Sequence, residues 1–258
     1  MTTPALKVVI TGASSGIGRA LAQEYARRGA TLGLIARREE MLAQLAASLP
    51  ARSYCYAVDV TDAVAMAAVA ANFIACAGCP DIVIANAGVS AGTLTAHPED
   101  NAVFEEVVRT NLIGMMLTFQ PFVDAMRMRK DGVLAGIASV AGLRGLPGAA
   151  AYSASKAAAI SYLESLRVEL HGSGVSVVTI CPGYIATPLT SNNPYRMPFL
   201  MDAAAAARKI ADAITARKRY YVLPWQMALV AWALRRVPRP VYDALFARAP
   251  HKPRRASG

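Results

Sequence analysis

Short apolar runs rich in β-branched residues alternate with longer alanine-rich segments along the first third of the chain: 6–11 then 16–28, 31–36 then 39–49, 53–58 then 63–75, and 82–85. That rhythm is the pattern of βαβ units, in which parallel strands are joined by crossover helices. The strands read as continuously apolar, as expected of a sheet whose two faces are both covered by helices. The pattern goes on through a helical stretch 99–128, a strand 132–139, a helix 151–170, a strand 175–181, a helix 202–217 and a strand 220–223. At 258 residues and 55% hydrophobic content, the chain has enough apolar material for one large α/β domain spanning 1–258.

Between the first strand and the first helix stands Thr11-Gly12-Ala13-Ser14-Ser15-Gly16-Ile17-Gly18. Glycines at such a turn let the backbone approach a pyrophosphate, and the helix N-terminus presents free N–H groups to it. The spacing G-x-x-x-G-x-G differs from the G-x-G-x-x-G fingerprint, but its place after an apolar strand still points to a nucleotide. The second strand ends in Ala36-Arg37-Arg38, where an acid would accept the adenosine ribose hydroxyls of NAD. Two cations stand there instead and suit a 2'-phosphate, with Ser14 or Ser15 adding a hydroxyl, so NADP(H) is expected ahead of NAD(H). The competing reading pairs Arg37 and Arg38 with Glu39 and Glu40 on an exposed turn.

Tyr152 and Lys156 lie four residues apart in the predicted helix 151–170, which places phenol and ammonium on one face. A free tyrosine, with a pKa of about 10, is a sluggish proton donor at neutral pH, and a nearby cation lowers that value. Ser139, at the end of a predicted strand, is positioned to hydrogen-bond a carbonyl oxygen against the phenol. Asn86-Ala87-Gly88 closes the fourth strand, and Asn111 falls inside the helical stretch 99–128. Singly, these read as turn or cap residues.

Together with Asp59, Pro182, Gly183 and Thr187, the ordered set Gly12, Gly16, Gly18, Asn86, Asn111, Ser139, Tyr152 and Lys156 resembles the short-chain dehydrogenase/reductase family over roughly residues 6–190. The resemblance implies a Rossmann-like, doubly wound parallel sheet of about seven strands in three αβα layers, and a nicotinamide cofactor. It implies a catalytic tetrad of Asn111, Ser139, Tyr152 and Lys156. Tyr152 would exchange a proton with the carbonyl or alcohol oxygen. Ser139 would polarise that oxygen, Lys156 would lower the Tyr152 pKa and hold the nicotinamide ribose, and Asn111 would anchor a water leading to Lys156. Asp59 and Val60 are implied near the adenine, Asn86, Ala87 and Gly88 along the adenosine ribose, and Pro182, Gly183, Ile185 and Thr187 at the nicotinamide end. Ile17 belongs to the phosphate turn. The implied activity is NADP(H)-dependent interconversion of a ketone or aldehyde with an alcohol, in a homodimer or homotetramer. The alternative is an NADP(H)-binding sensor on the same fold, which would not need Ser139, Tyr152 and Lys156 together.

The remaining features bound the setting. Cys55, Cys76, Cys79 and Cys181 read as reduced thiols of a cytoplasmic protein, and neither the Cys76–Cys79 pair nor His97, His171 and His251 completes a metal site. Residues 1–6 lack a secretory pattern, and no run approaches the ~20 apolar residues of a membrane span. Residues 1–207 carry 15 basic and 15 acidic side chains, whereas 208–258 carry 12 and 2. Nucleic-acid binding is not expected, since no reading helix or aromatic platform accompanies that charge. The segment 187–217 is expected to include a substrate lid, and 224–250 an apolar and basic helical tail. Its run 225–234 is expected to be buried, to contact another subunit, or to lie on a membrane surface. The last of these would favour a hydrophobic or lipid-like substrate. Residues 251–258 are expected to be disordered.

Overall fold

The computed structural model describes residues 5–191 and 193–254. Seven strands form one all-parallel sheet in the order β3-β2-β1-β4-β5-β6-β7. They are β1 (Lys7–Thr11), β2 (Thr31–Ala36), β3 (Ser53–Ala57), β4 (Ile82–Ala85), β5 (Gly132–Ile137), β6 (Val175–Pro182) and β7 (Tyr220–Leu223). The central strands are buried almost throughout, while β3 and β7 at the two edges keep exposed positions. The strand order runs outward both ways from β1 and β4, which are hydrogen-bonded neighbours, and opens a crevice beyond their carboxyl ends.

Helices cover both faces and give two apolar layers. On one side α1 (Gly16–Arg27), α2 (Glu39–Ser48) and α7 (Ala203–Thr215) bury Leu21, Tyr25, Leu42 and Ile210. On the other, α3 (Ala63–Ala77), α5 (Gly114–Arg129) and α6 (Ala150–Glu169) bury Phe73, Phe119, Phe122 and Leu163. Close helix–sheet approach needs small residues on the strands. A Cβ at Gly136 would lie 2.5 Å from the Leu163 side chain, so β5 and α6 touch there without room for alanine.

One expectation is corrected and two gain detail. The stretch 99–128 is helical, as expected, but divided: α4 (Asn101–Val108) and α5 are separated by a π-helical turn, Arg109–Ile113, that contains Asn111. An i→i+5 turn holds one residue more than an α-turn, and the apolar pattern alone does not reveal it. Within 187–217, α7 is a structural layer: its alanine and isoleucine face is buried against α1, so only the irregular part up to Met201 can lie over the crevice. Residues 251–254 are ordered and packed, with Gly92 donating its N–H to the Pro253 carbonyl at 3.0 Å and Arg254 forming ion pairs with Glu99 and Asp100. The expectation for 255–258 lies outside the described residues.

The tail forms α8 (Trp225–Arg236) and α9 (Arg239–Phe246). Arg144 fastens it, donating to the Leu234 and Val237 carbonyls and lying 4.0 Å over the Tyr242 ring. The Tyr242 hydroxyl donates to the Gly145 carbonyl at 2.6 Å. Met227 packs against Gly183, where a Cβ would come within 2.7 Å of it. No helix among the described residues is long and apolar enough to cross a membrane.

Candidate active site

A cavity of about 410 Å3 occupies the crevice, a volume in the range of small-molecule sites. Its lining runs from Arg37, Arg38 and Asp59 at one end, past the glycine turn, to Ser139, Tyr152 and Lys156 at the other. Almost every residue singled out in the sequence lies on this wall. Gly18 and Asn111 do not, and both support it from behind.

The glycine turn fits a dinucleotide phosphate. Gly12 has φ +65°, and a Cβ on it would lie 2.8 Å from the Ala87 backbone. At Gly18 a Cβ would meet the Gly12 carbonyl oxygen at 2.2 Å, so this glycine serves the close packing of the turn on α1. Ser15 caps α1 without a side-chain hydrogen bond to the helix, leaving the first-turn N–H groups directed at the cavity. Thr11 and Asn86 hold the turn against β4: Thr11 Oγ1 accepts from the Asn86 and Ala87 N–H groups, and Asn86 Nδ2 donates to the Thr11 carbonyl at 2.9 Å.

At the β2 end, Arg38 donates to Ser14 Oγ at 3.1 Å and to Ser15 Oγ at 3.0 Å. Arg37 is exposed and stands 3.7 Å from Asp59, a loose pair in water that contributes little. Their partners are therefore the serines and Asp59 rather than Glu39 and Glu40. Asp59 also accepts from the Thr61 N–H and hydroxyl, which fixes the turn after β3.

At the far end, α6 carries Tyr152 and Lys156 into the cavity, and Lys156 is only 4% exposed. Its Nζ donates to the Ile137 carbonyl at 2.8 Å and stands 5.9 Å from the Tyr152 ring centroid. Burial lowers the Lys156 pKa to about 8. Burial also pushes the Tyr152 phenol up, and the Ser139 hydroxyl beside it works in the opposite direction. The i, i+4 spacing leads one to expect Lys156 to lower the phenol. In this arrangement the ammonium is held on the β5 carbonyl, and Ser139 supplies the lowering contact. Ser139 Oγ accepts from the Ala141 N–H at 3.1 Å, which orients the hydroxyl at the end of β5.

Asn111 is fully buried in the π-helical turn. Its Oδ1 accepts from the Val89 N–H at 2.8 Å, and its Nδ2 donates to the Val89 carbonyl and to Ser155 Oγ, both at 3.0 Å. Its side-chain amide thus clamps the loop after β4 to α6. A Cβ on Gly88 would lie 3.1 Å from Asn111 Oδ1 and 3.5 Å from Lys156 Nζ, so Gly88 faces both side chains.

Several lining residues carry no signal in the sequence. Val89, Thr110, Leu189 and Thr190 reach the cavity from loops and the π-turn, and their types are ordinary for such positions. Val58 was legible in principle as the last apolar residue before Asp59.

A crevice with a glycine turn at a helix N-terminus toward one end and a buried phenol at the other has the layout that hydride exchange with a nicotinamide nucleotide requires, and the fold is that of an oxidoreductase of that class. The family described as short chain dehydrogenase matches residues 6–197, and the chain belongs to the short-chain dehydrogenase/reductase family, whose members use nicotinamide cofactors. It is 39% identical over 243 residues to an uncharacterised oxidoreductase of Myxococcus xanthus (strain DK1622), covering 93% of this chain and 96% of the relative. An uncharacterised oxidoreductase of Mycobacterium tuberculosis (strain CDC 1551 / Oshkosh) is 34% identical over 225 residues, covering 85% and 88%. A solved short-chain dehydrogenase from Streptomyces avermitilis superposes with TM-score 0.81 at 27% identity, covering 95% of each chain.

Proposed function

We propose that the protein is an NADP(H)-dependent reductase and dehydrogenase that interconverts a ketone or aldehyde with an alcohol. The observation that carries this reading is one continuous cavity with Arg37 and Arg38 at one end and Ser139, Tyr152 and Lys156 at the other. Bound there, the nicotinamide supplies or accepts the hydride.

This chain's own residues do the rest. The N–H groups at the start of α1, with Gly12, Gly16 and Ile17, hold the pyrophosphate. Arg38, steadied by Ser14 and Ser15, and Arg37, free to turn from Asp59, hold a 2'-phosphate. Asp59 and Val60 border the adenine, Asn86, Ala87 and Gly88 the adenosine ribose, and Pro182, Gly183, Ile185 and Thr187 the nicotinamide end. Tyr152 delivers a proton to the carbonyl oxygen in reduction and removes it from the alcohol in oxidation. Ser139 donates to the same oxygen. Lys156, held on the Ile137 carbonyl 5.9 Å from the Tyr152 ring centroid, holds the nicotinamide ribose, and its charge adds to the Ser139 contact in favouring the phenolate once the nucleotide is bound. Asn111 keeps α6 and the loop after β4 in register with that geometry.

Tyr152→Phe is expected to lower ketone turnover by at least ~100-fold while NADPH binding, read by fluorescence titration, stays within about threefold. Retained turnover removes Tyr152 from the mechanism. Tight NADPH binding with no turnover of any carbonyl by the unaltered protein would favour a nucleotide sensor. Ala36→Asp combined with Arg37→Gln is expected to shift the NADPH/NADH ratio of kcat/KM toward NADH by about 10-fold or more. An unchanged ratio overturns the NADP preference.

A further inference from the structure

The end of the chain returns to the active site. Residues 251–254 cross the loop after β4, with the Gly92 N–H donating to the Pro253 carbonyl and Gly92 bridging Arg254 in parallel register. Two side chains fix that strap, and they do so differently. Arg254 Nε donates to Asp100 Oδ2 at 2.9 Å and its Nη2 to Glu99 Oε1 at 2.8 Å. Asp100 is only 6% exposed, so this clip has two carboxylates for one guanidinium.

Among the described residues Lys252 has no such partner. Its Nζ donates to Ser90 Oγ at 2.8 Å and to the Leu189 carbonyl at 3.3 Å, both neutral oxygens, and stands 5.9 Å from the Tyr152 ring centroid. It therefore sits where the loop after β4, the irregular segment over the crevice and the catalytic helix meet. Leu189 and Tyr152 themselves line the cavity. Among the lining residues the sole carboxylate is Asp59, at the opposite end beside Arg37. Burial lowers the Lys252 pKa, as expected of an ammonium drawn out of water without a counter-charge. A cation held in this way gains most from an anion that arrives with the ligand.

We propose that Lys252 is a substrate-binding residue that recognises an anionic group, so that the substrate class is a carbonyl or alcohol compound bearing a carboxylate near its reacting carbon. A single ammonium with one proton left to donate suits a carboxylate oxygen; a phosphate more often draws the two-pronged guanidinium or several N–H groups. The strap then has two parts: Arg254 anchors it to the domain, and Lys252 reaches the cavity wall at Leu189 and Tyr152. The assignment rests on Tyr152 being the reacting centre of the proposed reductase.

The test is calorimetric binding of 4-oxo-4-phenylbutanoate and of its uncharged amide, with and without NADPH, to the unaltered protein and to Lys252→Gln, Lys252→Met and Lys252→Arg. The acid is expected to bind the unaltered protein about tenfold more tightly than the amide. Lys252→Gln and Lys252→Met should abolish that difference through the acid alone, and Lys252→Arg should keep part of it. Lys252→Met retains the apolar stem, so it stands in if Lys252→Gln does not fold. In turnover, the loss should appear in KM for the acid more than in kcat, which a merely structural strap residue would not produce. Equal binding of acid and amide by the unaltered protein, or a preference that survives both neutral variants, overturns the proposal. Failure of NADPH itself to bind is read separately and strikes the cofactor reading, while the acid and amide comparison still decides the role of Lys252.

Discussion

Lys156 is 4% exposed, and its ammonium donates to the Ile137 carbonyl and stands over the Tyr152 ring, with no carboxylate beside it among the described residues. Such a charge destabilises the fold unless it is compensated. Its folded pKa of about 8 lies below the ordinary 10.5. Between those values the unfolded chain holds a proton that the folded chain has released, so Lys156 makes stability rise with pH across that window. Lys156→Met is therefore expected to stabilise the cofactor-free protein by about 1–3 kcal/mol near neutral pH. It should flatten the rise between about pH 8 and 10.5 and abolish turnover. Urea unfolding at neutral and alkaline pH checks this, and a variant less stable than the unaltered protein near neutrality overturns it. The Tyr152–Lys156 pair was legible in the sequence because both members lie on one helix, where spacing alone sets the geometry. Lys252 was not legible, because its place beside Tyr152 depends on where the chain end lands about a hundred residues later.

The π-helical turn Arg109–Ile113 does at the level of an element what no single residue type announces. The added residue sets Asn111 inward, where it bridges the Val89 backbone and Ser155. Strand and helix existence came through in the sequence because apolar runs and alanine-rich segments differ in length and composition. The π-turn did not, because one extra residue barely disturbs an apolar stretch of this length. Asn111→Asp keeps the size and the acceptor for the Val89 N–H but removes both donations. It sets a carboxylate against the Val89 carbonyl and buries a charge. Stability is expected to fall by about 2–4 kcal/mol, and the loss should shrink as pH falls and the carboxyl takes up a proton, whose O–H can donate again. Urea midpoints at neutral and mildly acidic pH measure both effects. A loss that does not depend on pH would mean that the amide is replaceable and that the turn holds itself.

Along the whole chain, the excess of positive charge and the exposed apolar helix fall together in the C-terminal fifth. Residues 208–258 carry 12 basic and 2 acidic side chains. On α8, Trp225, Leu229 and Trp232 are 68%, 59% and 59% exposed and fall on one stripe, while Met227 and Ala231 face the domain. The apolar run 225–234 thus packs on one side only, a division that depends on Arg144 and Gly183 and is invisible in a run that is apolar nearly all round. Arg235, Arg236 and Arg239 flank the stripe, with Arg236 lying 4.0 Å over the Trp232 ring. Pairing this face with its copy would bring two strongly cationic tails together, whereas an anionic lipid surface takes both the tryptophans and the arginines. The protein is expected to float with phosphatidylserine-containing vesicles, to do so less in high salt, and to stay in solution with phosphatidylcholine alone. Trp225→Glu with Trp232→Glu should abolish flotation while leaving ketone turnover in solution unchanged, because neither tryptophan lines the cavity. If the unaltered protein does not float, and the same pair of substitutions lowers its sedimentation coefficient to that of a smaller species, the stripe is a subunit contact and the membrane expectation falls.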